Sequence, residues 1–274
     1  MDNSNTNGSD SQAQKAAITV LDASKSFGRH VLWRDWSFSV PSGSMTAVTG
    51  PSGAGKTTLI NCLGLLEDFS QGTLYYGDKL VLEVDSGVGV DGKAGKKGKA
   101  GKAAEAGKTG KTGKTGKTSE GGKLSAQDRR AFFKDTLGFL FQNYGLVDSW
   151  TVRQNLEVPL KMRKGLARKD YPSVCRDVLK RVGLEGMEKE KIYTLSGGEQ
   201  QRVALARLML KKPTIILADE PTSSLDAANS RMVMEVLREF ADQGATVLIS
   251  THGQEAIDAC DGTLRIPGHE EAVV

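Results

Sequence analysis

The stretch best equipped for chemistry is Gly50-Pro51-Ser52-Gly53-Ala54-Gly55-Lys56-Thr57-Thr58. It has the form G-x-x-x-x-G-K-[ST]. It stands between a short apolar run, Met45 to Thr49, and a segment, Lys56 to Leu63, that reads as a helix. Strand, glycine-rich loop and helix in that order predict a phosphate-binding loop. The glycines let backbone N–H groups turn into one concavity. The helix N-terminus adds partial positive charge, Lys56 is long enough to reach a β- or γ-phosphate, and Thr57 can ligate Mg²⁺.

Two further strand ends carry polar groups. Thr214 to Ala218 is an apolar run that delivers Asp219-Glu220-Pro221, and residues 245–250 form another that delivers Thr251-His252. Asp219 is placed to hold Mg²⁺ directly or through water. Glu220 is placed to orient or deprotonate an attacking water, and His252 to sense a γ-phosphate. Parallel sheets covered by helices bind ligands beyond the carboxyl ends of their strands, so the three groups are expected to meet at one nucleotide. A fourth motif, Leu195-Ser196-Gly197-Gly198-Glu199-Gln200-Gln201-Arg202, opens a helix. Leu-Ser-Gly-Gly-Glu would arise by chance in on the order of one chain in a thousand. Its Ser196 hydroxyl and Gly198 backbone suit an anion at a helix N-terminus.

The elements that must position these groups alternate between sheet and helix. Ile18 and Val20 alternate with polar neighbours, and residues 22–29 read as a turn carrying Phe27. Trp36, Phe38 and Val40 form a second half-buried strand. Residues 72–84 alternate again around a hairpin turn at Gly77-Asp78. An antiparallel layer is thus expected beside the phosphate-loop strand. Ser125 opens a short helix, and residues 137–141 form an apolar strand delivering Gln142. Residues 150–183 read as helical with breaks at Pro159 and Pro172, and Val174, Val178, Leu179 and Val182 share one buried face. Residues 227–240 form a helix capped by Asp226, and the stretch after Ile257 is too short for a further domain.

Composition narrows the function classes. The net charge of +4 conceals two parts. Residues 86–123, rich in Gly, Lys, Ala and Thr, hold ten Lys against three acids, or +7. The remainder has 27 basic and 30 acidic residues, or −3, which argues against a general nucleic-acid surface. The Gly-Lys-Thr triplets inside 86–123 imitate the phosphate loop but lack its earlier glycine and its strand. Without Pro the block is no collagen-like helix, and it is read as a disordered insertion, with contact to an anionic lipid surface as the alternative. Residues 1–14 read as a fraying polar tail without a signal peptide's apolar core, and 269–274 as a C-terminal tail. No apolar run approaches the roughly 18 residues a membrane helix needs. Cys62, Cys175 and Cys260 have no metal-ligand spacing and are expected to be inert thiols. His30 and His269 read as surface residues.

Taken together, residues 17–268 resemble the nucleotide-binding subunit of ATP-binding-cassette (ABC) transporters. The match rests on Gly50 to Thr58, Gln142, Leu195 to Glu199, Ile215 to Glu220, Ser224-Leu225-Asp226 and His252. The resemblance implies an α/β P-loop NTPase with a RecA-like parallel core, an antiparallel β subdomain and a helical subdomain at about 143–205, all within a cassette spanning 15–268. It implies that ATP and Mg²⁺ are bound, with Thr57, Gln142 and Asp219 toward the metal. Phe27 would stack on adenine. Gln142 would couple the site to a membrane partner through residues 143–160, and residues 224–226 would link two ATP sites.

The family works as head-to-tail dimers. Ser196, Gly197, Gly198 and Glu199 of one copy would close on the γ-phosphate held by the other. Phe27 stands where Tyr is commoner, and Gly253 where Asp is frequent. Gly138-Phe139-Leu140-Phe141-Gln142 and residues 151–156 resemble the group serving macrolide, lipoprotein and bacteriocin export, most of all the lactococcin 972 kind. An ATP hydrolase peripheral to the cytoplasmic face of the cell membrane, driving a permease on another chain, is therefore expected. The competing readings are an importer ATPase, a soluble ABC-type ATPase acting on ribosomes or DNA, and a P-loop kinase. The single cassette, the acidic body and residues 195–199 count against the last two.

Overall fold

The computed structural model describes residues 15–85, 124–163, 165–223 and 225–267. The expectations for the two tails, the 86–123 insertion, Ser224 and His269 lie outside the described residues.

A four-stranded antiparallel sheet, in the order β2-β1-β4-β5, is built from β1 (Ala16–Phe27), β2 (His30–Pro41), β4 (Gln71–Tyr76) and β5 (Lys79–Val84). The expected turn over 22–29 is instead strand as far as Phe27. The β1–β2 register shifts between Val20 and Ala23, and Asp22 and Asp35 take left-handed backbones at φ 48° and 47°. Hydroxyls stand in for the lost ladder partners. Asp22 N donates to Ser37 Oγ at 2.8 Å and Asp35 N to Ser24 Oγ at 3.0 Å. The polar run at 22–26 thus marks β-bulges, which twist a strand without ending it.

The second sheet has the order β6-β7-β8-β3-β9 and all of its pairs are parallel. Its strands are β3 (Met45–Thr49), β6 (Leu137–Leu140), β7 (Ile215–Asp219), β8 (Thr246–Ser250) and β9 (Gly262–Arg265). Both faces are covered, which is why β7 and β8 read as continuous apolar runs. Val48, Leu217 and Leu248 face α1 (Lys56–Leu63) and the antiparallel sheet, in one core cluster. Met45, Ile216 and Ile249 face α5 (Gly197–Lys211) and α6 (Ala227–Asp242) in another. β9 was not expected, since Gly-Thr-Leu-Arg shows no apolar alternation. It forms because β3 would otherwise leave an open edge, and it follows the short helix α7 (Gln254–Asp258).

The remaining helices are α2 (Ala126–Asp135), α3 (Val152–Met162) and α4 (Tyr171–Arg181). α3, α4 and one face of α5 share a third apolar cluster, containing Leu156, Leu160, Val178, Leu179 and Val203. Pro172 lies at the start of α4, where its missing N–H costs little. Pro159 does not break α3 as expected but lies buried within it. A capping box between Thr151 and Gln154 and the burial of Leu156 and Leu160 offset the roughly 3 kcal/mol of an internal proline.

Candidate active site

β3 hands the chain to the glycine loop at Thr49. The loop bends through left-handed backbones at Gly53 (φ 79°) and Gly55 (φ 94°). Gly55 is irreplaceable on space alone: a Cβ there would lie 2.5 Å from Trp33 Cζ3 and 2.8 Å from Leu32 Cδ1. β2 therefore props the loop from below, a role for Trp33 that its place in an apolar strand does not signal. No side chain caps α1, so its first amides are open toward an anion, while Pro51, Ser52 and Gly53 are exposed and Ala54 and Thr58 half-buried. Lys56 curls over the loop, its Nζ donating to Gly50 O at 2.9 Å and Pro51 O at 3.2 Å.

β8 pairs with β3 and β7 pairs with β8, so the ends of all three strands lie along one edge of the sheet. Asp219, 7% exposed, accepts at Oδ1 from Thr57 Oγ1 (3.1 Å) and from Ser250 Oγ (2.5 Å). Glu220 has a left-handed backbone, φ 48°. Its amide is fixed by donating to Ser250 O (3.0 Å) and Ser250 Oγ (3.1 Å). A non-glycine residue in this region costs of order 1–3 kcal/mol and persists where its surroundings enforce it. The turn aims the Glu220 carboxylate at His252, with Oε1 3.0 Å from Nδ1. Ser250 thus positions both acids. It escaped the sequence reading because it looks like the last residue of a buried strand.

The donor set around Asp219 consists of a carboxylate and a hydroxyl, hard oxygen ligands of the type Mg²⁺ prefers. Among the described residues no cluster of three His, Cys, Asp or Glu could hold a metal unaided. Such a site fits a cation that takes its other oxygens from phosphates and water.

Other expected residues take no part in these hydrogen bonds. Gln142 is exposed just after β6, which pairs with β7. The turn that carries it is closed by Tyr144 N donating to Phe141 O (2.9 Å). Arg207 of α5 holds that turn through the carbonyls of Gly145 (2.6 Å) and Tyr144 (3.1 Å). Phe27 ends β1 with 51% of its surface exposed and Lys25 Nζ 4.8 Å from its ring centre.

Ser196 caps α5 in a reciprocal box, Glu199 Oε2 accepting from Ser196 N at 2.8 Å and from its Oγ at 2.7 Å. The Ser196 hydroxyl and amide hold the Glu199 carboxyl below its ordinary range. Ser196 and Gly197 are exposed and Gly198 half-buried. Among the described residues no hydrogen bond joins 195–199 to the glycine loop, Asp219, Glu220 or His252. The chain assembles one group of motif residues and leaves another without a hydrogen bond to it among the described residues.

The thiols behave as expected. Burial pushes Cys62 up to about 12, and Cys175 and Cys260 up to about 11. His30 is exposed on β2.

A family model for ABC transporters matches residues 33–223, well over half of the 274-residue chain. The chain belongs to the ABC transporter family. It is 32% identical over 249 residues to the sulfate/thiosulfate import ATP-binding protein CysA 2 of Rhizobium meliloti, which covers 89% of this chain and 55% of that protein. It is 33% identical over 230 residues to the macrolide export ATP-binding/permease protein MacB of Shigella flexneri, covering 84% of this chain and 29% of that protein. The cassette therefore spans about half the length of the one relative and under a third of the other. In fold it resembles the ATP-binding cassette MJ0796, whose dimeric structure holds ADP and Pi, with a TM-score of 0.70 at 23% identity over 91% of this chain and 94% of that one. The ABC cassette fold, a P-loop α/β core with an antiparallel β subdomain and helices, is thereby shown.

Proposed function

We propose that the cassette energises a membrane permease on another chain, hydrolysing ATP at sites closed by two copies arranged head to tail. The observation that carries this reading is the division of its motifs. The glycine loop, Asp219, Glu220 and His252 converge, while Ser196 and Gly198 lie exposed or half-buried outside that group. In the proposed cycle the loop amides, Lys56 and Thr57 bind the phosphates, and Phe27 stacks on adenine. Thr57, Asp219 and Gln142 would hold Mg²⁺, which would supply positive charge to offset that of the phosphates. Glu220 orients a water and draws off its proton as its oxygen bonds to the γ-phosphorus and the bridging P–O bond to ADP breaks. His252 holds the Glu220 carboxylate and reads the γ-phosphate. Ser196 and Gly198 of the second copy cover that phosphate from the other side.

A cleft of about 650 Å³ supports the permease reading. Phe139, Phe141, Pro159 and Met162 line it between β6 and α3, and Arg207 and Lys211 of α5 close it. It adjoins the Gln142 turn, so a permease segment seated there would bear on the catalytic residues. Among the described residues no helix is long and apolar enough to cross a membrane. The seat proposed for the cassette is the cytoplasmic face of the membrane, against its permease.

The cargo we propose is an exported peptide, lipoprotein or hydrophobic compound, of the kind handled by macrolide, lipoprotein and bacteriocin exporters. Support comes from residues 138–142 and 151–156 and from the 33% identity to the macrolide export protein. The 32% identity to a sulfate/thiosulfate import protein supports import as a second reading.

Purification of the tagged cassette from membranes separates the readings. A co-purifying permease whose deletion abolishes efflux of a peptide or hydrophobic compound is expected. A solute-binding protein in the complex would favour import, and recovery with ribosomes would contradict both.

A further inference from the structure

The signature motif and the segment that follows Glu220 are tied together inside the chain. α5 begins with the motif and places Gln201 and Arg202 against that segment. Gln201, 2% exposed, donates from Nε2 to Pro221 O at 3.0 Å. Arg202 donates from Nη1 to Asn229 Oδ1 in the first turn of α6. Asn229 in turn donates from Nδ2 to Asp226 Oδ2 at 2.7 Å and from its backbone N to Asp226 Oδ1 at 2.8 Å.

Gly198 lies four residues before Arg202 and so on the same helix face. A Cβ at Gly198 would stand 3.4 Å from Asn229 Nδ2, at ordinary van der Waals contact, so the motif backbone runs beside the amide. Arg202 Nε is buried without a hydrogen-bond partner. Asn229 Oδ1 is thus the acceptor that orients the guanidinium.

We infer that Asn229 is a positioning residue that locks the signature motif to the turn between Glu220 and α6. Its amide uses its acceptor on α5 and its donor on the Asp226 cap, so neither helix start shifts without the other. Two copies joined head to tail would therefore close Ser196 and Gly198 on the partner's nucleotide in the same movement that sets Glu220 in their own site. This inference rests on the dimer reading.

Asn229→Ala removes both side-chain contacts but keeps the backbone N–H on Asp226, so the α6 cap survives. Asn229→Asp restores an acceptor for Arg202. The test uses full-length protein carrying Glu220→Gln, with ATP affinity read by fluorescence and dimer formation in ATP read by sedimentation. Asn229→Ala is expected to weaken dimer formation roughly fivefold or more while ATP affinity stays unchanged, and Asn229→Asp, which restores the acceptor for Arg202 but replaces the donor to Asp226 with a second carboxylate, to recover only part of the loss. Should the alanine variant fail to fold, Asn229→Ser, too short to reach Arg202, is read in the same way. Equal dimer affinity with only a lowered Tm would overturn the inference and leave the dimer reading standing. Failure of Glu220→Gln alone to dimerise in ATP would overturn both.

Discussion

At the scale of single residues, the site depends on groups that fix other groups. Ser250 is fully buried and joins the Asp219 carboxylate to the amide of Glu220. Ser250→Ala leaves Asp219 Oδ1 with Thr57 alone and removes one of the two acceptors of the Glu220 amide, while its bond to Ser250 O remains. Lost positioning of about 1–3 kcal/mol predicts a ten- to hundredfold lower kcat with ATP affinity near normal. Steady-state turnover beside equilibrium nucleotide binding would show this, and a parallel loss of both would place Ser250 in folding alone. Ser196 makes a different kind of contribution. Losing its cap should cost about 1 kcal/mol of stability at neutral pH. Because the folded Glu199 carboxyl is held below its ordinary value, its share is present above the unfolded pKa and is lost as pH falls through the folded one. Urea unfolding of Ser196→Ala and wild type should therefore converge in acid.

At the scale of elements, α5 connects most of the functional segments. Its N-terminus carries the signature motif, its middle holds Pro221 and Asn229, and Arg207 and Lys211 reach the cleft. Arg207→Ala would release two carbonyls of a turn in which Tyr144 and Gly145 are both left-handed, at φ 61° and 59°. Hydrogen exchange at residues 143–146 should rise in that variant while exchange in β7 and β8 stays unchanged. Burial, helped by the Arg207 charge, lowers Lys211 to about 8. A lysine depressed in the fold is destabilising while charged, so stability should rise with pH from 8 toward 10.5, its ordinary value. Lys211→Met should lack that rise, which unfolding at pH 8, 9 and 10 would reveal.

Much of this level was legible in the sequence where the signal is local. Residues 45–63 were read correctly because an apolar run, glycines and a helix start adjoin. β9 was not legible, since only the open edge of β3 makes a strand of it. The bulged course of β1 depends on hydroxyls from β2 and on Ser24, and the survival of α3 past Pro159 depends on burial against α5. The bond from Arg202 to Asn229 joins α5 to α6 across residues that meet only in the fold.

At the scale of the whole molecule, one chain holds two unlike halves. The converged group brings the glycine loop, Asp219, Glu220 and His252 together, and among the described residues no hydrogen bond ties the signature motif to it. The 86–123 block is proposed as a tether rather than part of this machinery. Its deletion should leave ATP turnover and membrane association unchanged, and loss of salt-sensitive binding to anionic vesicles would assign it to lipid instead. The central claim is that ATP itself joins two copies, and sedimentation velocity of Glu220→Gln tests it most directly. With ATP saturating the sites the protein should run as a dimer, with ADP as a monomer, and adding Ser196→Arg should return the ATP form to monomer. A Glu220→Gln protein that binds ATP fully yet remains monomeric, or that hydrolyses it at the normal rate, would contradict the account.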